Sequence, residues 1–353
     1  MTENKLILHI GQTKTGTTSI QSFLHANQKQ LELSGIYYAR RPNAWTSHRY
    51  LFYLINSCVD NLTDASFKER HALRLREYWK NSTELKTTDE YWDFFKGNLV
   101  NGSCNISIVS EELLWELGKF EHLAKKDMIQ LLANHLHQIF KPKNITIVAA
   151  LRHHSEWLES WHNQMVKDQG NQMNILPFFE QEQAYGSLNY SNNLNDWLDI
   201  FPEANLRVVD FKKSLISSRP IGIMFLDILG LLDKIERKSF KLMTYPERLQ
   251  EAIHPMLQAY IIRKKPNIDN IKQYKQKIRI ANKMTQPILM HNGIDYAYTV
   301  LNKNILKKCD EISKLDHTEH LNLPLLSSNI RKKRTIPRLL PQQIVESFDK
   351  IFK

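Results

Sequence analysis

Short apolar runs and longer amphipathic stretches alternate along the first two-thirds of the chain. The runs are Leu6–Ile10, Ile36–Ala39, Ile106–Val109, Ile145–Leu151 and Leu206–Phe211, several of them rich in Ile and Val and each closed by polar or loop residues. They do not alternate apolar with polar, which is the pattern of strands buried on both faces of a parallel sheet. Between them, helical periodicity predicts helices over Thr17–Leu33, Glu112–Phe140 and Glu156–Lys167. This order implies an α/β fold with a parallel sheet of about five strands flanked by helices. In such sheets ligands bind outside the carboxyl ends of the strands.

Residues 41–100 interrupt the alternation and are rich in Trp, Tyr, Asn and Thr, as expected of a helical insertion or flap. Beyond about residue 235 the strand signals stop and the chain reads as helical and basic. The expected organisation is a core over 1–235 and a helical C-terminal region over 236–353.

Composition narrows the partners rather than the fold. At 353 residues, 42% of them hydrophobic, the chain can bury a sizeable core and is not a disordered polymer. The formal charge of +11 favours anions: nucleic acid, an acidic membrane face or a polyanionic small ligand. Cys58, Cys104 and Cys309 are odd in number and widely spaced, which argues against a disulfide framework and a zinc site. The first residues show no secretory signal pattern, and the apolar stretch Ile221–Leu232 is short and carries Asp227, so it reads as a core helix. A reducing, cytoplasmic setting is expected, with peripheral contact at the inner membrane face open to the basic C-terminal region.

The first run is followed by HIGQTKTGTTSIQ, residues 9–21. A strand-to-helix junction points unpaired N–H groups at one spot, and the helix dipole adds positive potential there. Gly11 and Gly16 allow the chain to wrap closely, Lys14 adds a mobile charge, and Thr17, Thr18 and Ser19 add hydroxyl donors. The nucleoside-triphosphate loop GxxxxGK[ST] puts its lysine after the second glycine, whereas here Lys14 precedes Gly16 and Thr17 follows it. An anion other than the tail of ATP is implied.

The string HIGQTKTGTTSIQSFL resembles the 5′-phosphosulfate loop of sulfotransferases that use 3′-phosphoadenosine 5′-phosphosulfate (PAPS), and is similar to the bacterial and carbohydrate-type members. The resemblance implies that Gly11, Thr13, Lys14, Thr15, Gly16, Thr17, Thr18 and Ser19 bind the 5′ side of PAPS. The family holds the 3′-phosphate with an arginine at a strand end and a serine eight residues on. ITIVAALRHHSEWLESWHNQ supplies Arg152 and Ser160 at that spacing. Leu194–Leu215 and Gly222–Leu231 resemble the family's last core strand and following helix, so the likeness spans most of residues 5–232.

Sulfuryl transfer resembles phosphoryl transfer, in which positioning and charge stabilisation do most of the work. Lys14 suits the leaving-group side, and no metal is expected. Two residues are candidates for the base that takes the acceptor's proton, His48 in the insertion and Glu111 at the end of the third strand. The resemblance implies transfer to a hydroxyl of a carbohydrate or glycolipid, with the C-terminal region as an acceptor-side cap. Two other readings stand beside it, a P-loop ATP-dependent kinase or NTPase and a non-catalytic polyanion-binding protein. His153, His154 and His162 lack a metal-ligand spacing, and Trp157 and Trp161 fit core packing. The basic stretches Arg263–Arg279 and Arg331–Arg338 carry no nucleic-acid module, so no nucleic acid is expected; a solvated helix face, or contact with an acidic glycan or membrane surface, fits them.

Overall fold

The computed structural model describes residues 3–42, 45–58, 65–79, 87–119, 125–210, 220–235, 254–266, 268, 270–291, 298–299, 301, 303–318, 334–335, 340 and 342–352. Each of the five apolar runs forms one strand: Lys5–His9 (β1), Ile36–Tyr38 (β2), Ile106–Ser110 (β3), Ile145–Leu151 (β4) and Asn205–Asp210 (β5). Phe211, at the end of the last run, lies outside the described residues. All pairings are parallel, and the order is β2-β3-β1-β4-β5. For β1 to β4 the unalternating pattern has its expected cause, since both faces are covered, whereas β5 at the sheet edge leaves Asn205 and Arg207 exposed. Leu6, Leu8, Ile147 and Ala149 are buried on one face, Ile7, Ile108, Val148 and Ala150 on the other.

The helix expected over Thr17–Leu33 is two helices, Thr17–Ala26 (α1) and Gln28–Glu32 (α2). Asn27 breaks it by donating its side-chain amide to the carbonyl of Phe23, 2.8 Å away, competing with the helical ladder. The insertion is helical as expected, with Arg49–Cys58 (α3), Ala65–Trp79 (α4) and Thr88–Gly97 (α5). These helices pack through aromatic edges, Trp79 lying 5.0 Å from Tyr50 and 4.8 Å from Tyr91 between ring centroids. The helix expected over Glu112–Phe140 is a 3₁₀ turn over Glu112–Glu116 and a helix over Lys125–His137 (α6), with 120–124 outside the described residues. After β4 come His154–Gln169 (α7), Ile175–Ala184 (α8) and Tyr190–Ile200 (α9); after β5 comes Ile221–Ile228 (α10).

The chain divides into two compact units, Met1–Leu151 with Asn189–Leu249, and Arg152–Leu188 with Gln250–Lys353. In the second of these units α7 and α8 group with the C-terminal helices. In the first unit, α1, α2 and α10 cover one face of the sheet. Ile20, Phe23, Leu24, Leu31, Ile223 and Phe225 join the strand side chains there in one core cluster. Each large side chain buried this way contributes about 1.5–3 kcal/mol. Gly222 lets α10 approach α1 closely, since a Cβ at that position would fall 2.1 Å from the Phe23 ring.

The second unit also contains Pro255–Lys264 (α11), Ile271–His291 (α12), Lys303–Thr318 (α13) and Gln342–Phe352 (α14). Tyr260, Ile261, Tyr274, Ile278 and Phe348 make one of its cores, and Trp157, Phe178, Phe179, Leu301 and Ile305 another. A two-residue strand pair, Tyr298–Thr299 (β6) with Arg334–Thr335 (β7), is a departure from the all-helical expectation for this region. Of the basic stretch Arg263–Arg279, Tyr274 and Ile278 point inward while Arg263, Lys264, Lys272 and Arg279 are exposed, the arrangement of a solvated face. Residues 331–333 and 336–338 of the second basic stretch lie outside the described residues. Among the described residues no helix is long and apolar enough to cross a membrane.

Candidate active site

The strand order places β1 centrally, between β3 and β4, so the loop after β1 opens where the crossovers reverse direction. The loop continues the ladder beyond the strand: Ile10 N–H donates to the Val148 carbonyl at 2.9 Å, and Gln12 N–H to the Ala150 carbonyl at 3.2 Å. On the other side, Glu111 N–H donates to the His9 carbonyl at 3.0 Å. The start of the loop is thereby fixed to the ends of both neighbouring strands.

Three residues give the loop its turn, Gly11 at φ 43°, Lys14 at φ 68° and Gly16 at φ 80°. Glycine enters that left-handed region freely; for lysine it is strained by roughly 1–2 kcal/mol. Gly11 is also required for space. A Cβ there would meet the Thr17 methyl at 2.8 Å and His9 Nε2 at 3.3 Å. Gly16 caps α1 with no side-chain hydrogen bond to the first turn, so no capping side chain covers the positive end of the helix dipole. Thr13, Thr15 and Thr17 are buried, while Lys14, Gly16, Thr18 and Ser19 are half-buried. Thr13 donates to Glu116 Oε1 at 3.3 Å, and the Thr15 hydroxyl to the Gln12 carbonyl, which hold the turn from within.

Two residues of the loop's floor escaped the sequence reading. His9 is fully buried and its Nδ1 lies 2.7 Å from the Ser110 hydroxyl, while its Nε2 has no hydrogen-bond partner. Burial pushes its pKa down to about 3, so the ring is neutral. The Gln12 side chain is likewise fully buried, and neither its Nε2 nor its Oε1 has a partner. Buried polar atoms left this way cost of the order of 1–3 kcal/mol each, a cost recovered when a ligand or water meets them. The signal available in the sequence was only their adjacency to Gly11.

At the end of β3 stand Glu111 and Glu112, on an edge shared with the loop. Glu111 is fully buried, its Oε1 accepts from Leu113 N–H at 3.1 Å, and its Oε2 has no partner. Burial, and then the negative charge of Glu112, pushes its carboxyl up to about 8. Glu112 is held by Gln21 of α1 at 2.6 Å and by Arg49 at 3.0 Å. Arg49 also lies 3.9 Å from Glu111 Oε1. This clamp of Gln21, Arg49 and the two carboxylates was not visible in the sequence, because its members are far apart along the chain.

His48, the other candidate base, is also fully buried. Its Nε2 lies 3.0 Å from the Ala39 carbonyl, and its Nδ1 accepts from Ser110 N–H at 3.2 Å. Both ring nitrogens are thus engaged with backbone beyond β2 and at the end of β3, and burial holds the pKa down to about 3. This is the geometry of a neutral brace between two strand ends.

Arg152 follows β4 directly and opens the second unit, where its Nε donates to Glu156 at 3.3 Å within the start of α7. Ser160 is half-buried on the same helix. Trp157 is fully buried and stacks at 6.4 Å on Trp161, which donates to Glu182 at 3.0 Å. His162 bonds the Met173 carbonyl and Gln258, at 2.8 and 2.7 Å. Among the described residues no group of three or more His, Cys, Asp or Glu is placed to hold a metal ion.

No protein-family model matches the chain, and no curated protein sequence matches it. Among solved structures, a sulfotransferase from Alicyclobacillus acidocaldarius aligns with 73% of this chain and 89% of its own, at 15% identity and a TM-score of 0.40. A likeness at that level fixes neither family nor activity.

Proposed function

We propose that the chain is a sulfotransferase that moves the sulfuryl group of PAPS to a hydroxyl of a carbohydrate or glycolipid acceptor. The observation that carries this reading is the conformation of the β1–α1 loop. Gly11, Lys14 and Gly16 all turn left-handed, at the mouth of a helix that no side chain caps, and the lysine precedes the second glycine. The residues fit an anion here: a Cβ at Gly11 would fill the turn, and buried His9 Nε2 and the Gln12 amide lack partners.

When bound, PAPS supplies a sulfuryl group whose sulfur–oxygen bond to the 5′-phosphate breaks as the acceptor oxygen bonds to sulfur. The first-turn N–H groups of α1 and the hydroxyls of Thr17, Thr18 and Ser19 hold the 5′-phosphate. Lys14 offsets the negative charge that gathers on the bridging oxygen. Glu111 receives the acceptor's proton on Oε2, the oxygen left without a partner. A carboxyl with a pKa near 8 is a stronger base than an ordinary one, and it is available in its ionised form only as pH rises through that value. His48, with both nitrogens engaged, holds the end of β3 and so positions Glu111. Arg152 and Ser160 are assigned to the 3′-phosphate on the sequence resemblance.

Thermal denaturation with adenosine 3′,5′-bisphosphate, AMP and magnesium–ATP tests the reading. The bisphosphate should raise Tm more than AMP, and Arg152→Ala should erase that difference. No shift with millimolar bisphosphate refutes the proposal, and a larger shift with magnesium–ATP transfers the site to a kinase or NTPase.

A further inference from the structure

The helix α12 carries Lys272, Lys275, Lys277, Arg279 and Lys283 and no acidic residue in its 21 positions. At about 3.6 residues per turn, Tyr274, Ile278, Ala281 and Thr285 fall on one face, and all four are buried. Opposite them, Lys272, Gln276, Arg279 and Lys283 form an exposed row about 16 Å long. Ile280 stands beside this row with 45% of its surface open to solvent. Among the described residues, none of Lys272, Arg279 and Lys283 has an ion-pair partner. Cations elsewhere on the surface do pair, Lys126 with Asp199 at 2.7 Å and Lys141 with Glu3 at 2.6 Å. Like charges one turn apart, as Arg279 and Lys283 are, oppose helix formation. The row is therefore held in place by the buried face and not by its own charges.

We infer that this face of α12 is a docking surface for an anionic phospholipid bilayer. The inference stands independently of the sulfotransferase reading. Clustered lysines and arginines are drawn to the negative surface of anionic lipids, and lipid phosphates interleaved with the row relieve its self-repulsion. The exposed aliphatic side chain decides between that surface and other polyanions. At a bilayer, Ile280 leaves water for the boundary between headgroups and acyl chains. The stems of Lys272 and Lys283 lie along the same boundary with their ammonium groups among the phosphates. On a nucleic acid or an acidic polysaccharide the isoleucine would find no apolar layer. The row also offers no aromatic ring on which a base or a sugar could stack. Arg263, Lys264 and Lys265, at the end of α11, are exposed as well and raise the positive potential of this part of the chain. With one half-exposed isoleucine in the row, the attachment is peripheral and driven by charge.

The test is cosedimentation of the full chain with vesicles of phosphatidylcholine alone and of phosphatidylcholine with an equal part of phosphatidylglycerol, beside binding to heparin and to duplex DNA. The protein should bind the phosphatidylglycerol vesicles, ignore phosphatidylcholine, and be released as salt rises. Lys272→Gln, Arg279→Gln and Lys283→Gln together should weaken vesicle binding about 10²-fold, about fivefold per charge. An equal charge loss on α4, through the exposed Arg70→Gln, Arg74→Gln and Arg76→Gln, should weaken it far less. Ile280→Ser should weaken vesicle binding about fivefold and leave heparin binding unchanged. Melting curves should match wild type in every variant, because the side chains replaced are exposed; Arg279→Gln alone, with about a fivefold loss expected, carries the test should the triple variant melt early. No binding to phosphatidylglycerol vesicles, an equal loss from the α4 variant, or vesicle binding indifferent to Ile280→Ser overturns the inference. Loss of heparin or DNA binding from the α12 triple variant with vesicle binding intact reassigns the face to a soluble polyanion and overturns it too.

Discussion

Replacing Glu111 by glutamine probes the buried carboxyl through stability and turnover at once. The carboxyl is fully buried and pushed up from an ordinary 4.5 to about 8, first by burial and then by Glu112. Between those two values the unfolded chain has released this proton while the folded chain retains it. Stability must therefore fall as pH rises through the window, by up to about 1.4 kcal/mol per pH unit and by on the order of 4 kcal/mol across it. Glutamine keeps the shape and an oxygen for the Leu113 N–H, 3.1 Å away, but has no proton to release. His9 and His48, held down to about 3, destabilise the fold only as pH falls below their ordinary value of 6.5. Both are present in either protein and cancel in the difference.

The assay is thermal denaturation of wild type and Glu111→Gln at close pH steps from acid to alkaline. Their Tm curves should diverge upward of pH 5, the variant gaining about 2 °C per kcal/mol relieved, and run parallel again above about 9. Curves parallel throughout would refute the perturbed carboxyl. The turnover arm is separate: wild-type rate should climb through pH 8, and the variant should lose about 10²–10⁴-fold. A variant as fast as wild type would remove the base role while leaving the burial argument untouched.

Lys14→Ala should cut turnover by about 10²–10³-fold with Tm nearly unchanged, because the residue faces charge in the transition state and not the core; retained turnover in a transfer assay removes that role. His48→Ala should lower stability by about 1–3 kcal/mol in denaturant melts, since it removes the buried acceptor of the Ser110 N–H and leaves the Ala39 carbonyl only its longer bond from Arg41. Equal stability would show that the brace is dispensable. Gly222→Ala should cost at least about 2 kcal/mol, because the new methyl would lie 2.1 Å from the Phe23 ring and force α10 off α1; an unchanged melting curve contradicts the packing described.

Most of the strands could be placed from the chain alone because they are apolar on both faces, a pattern that local composition writes directly; β5, at the sheet edge, keeps Asn205 and Arg207 exposed and was marked only by its Val208–Val209 pair. Helix limits were less legible. Asn27 ends α1 through a single side-chain bond, and the stretch after Glu111 tightens into a 3₁₀ turn whose Leu113 N–H is met by that carboxyl, neither of which alters hydrophobic periodicity. The glycine loop was legible because its chemistry is contiguous: spacing of Gly11, Lys14 and Gly16 already demands a tight turn before a helix. The different surroundings of His48 and Glu111 were not, since both are polar residues near a strand end and only the tertiary contacts set their environments apart.

By itself, then, the order of residues determined the parallel α/β core and the tight glycine turn at its centre. Tertiary structure alone decided that α7 and α8 join the C-terminal helices, that His48 spends both nitrogens on backbone, and that Gln21, Arg49, Glu111 and Glu112 meet. The reason is physical: periodicity and turn chemistry act between near neighbours, whereas burial, dielectric and ion pairing depend on which distant segments the fold brings to one strand edge.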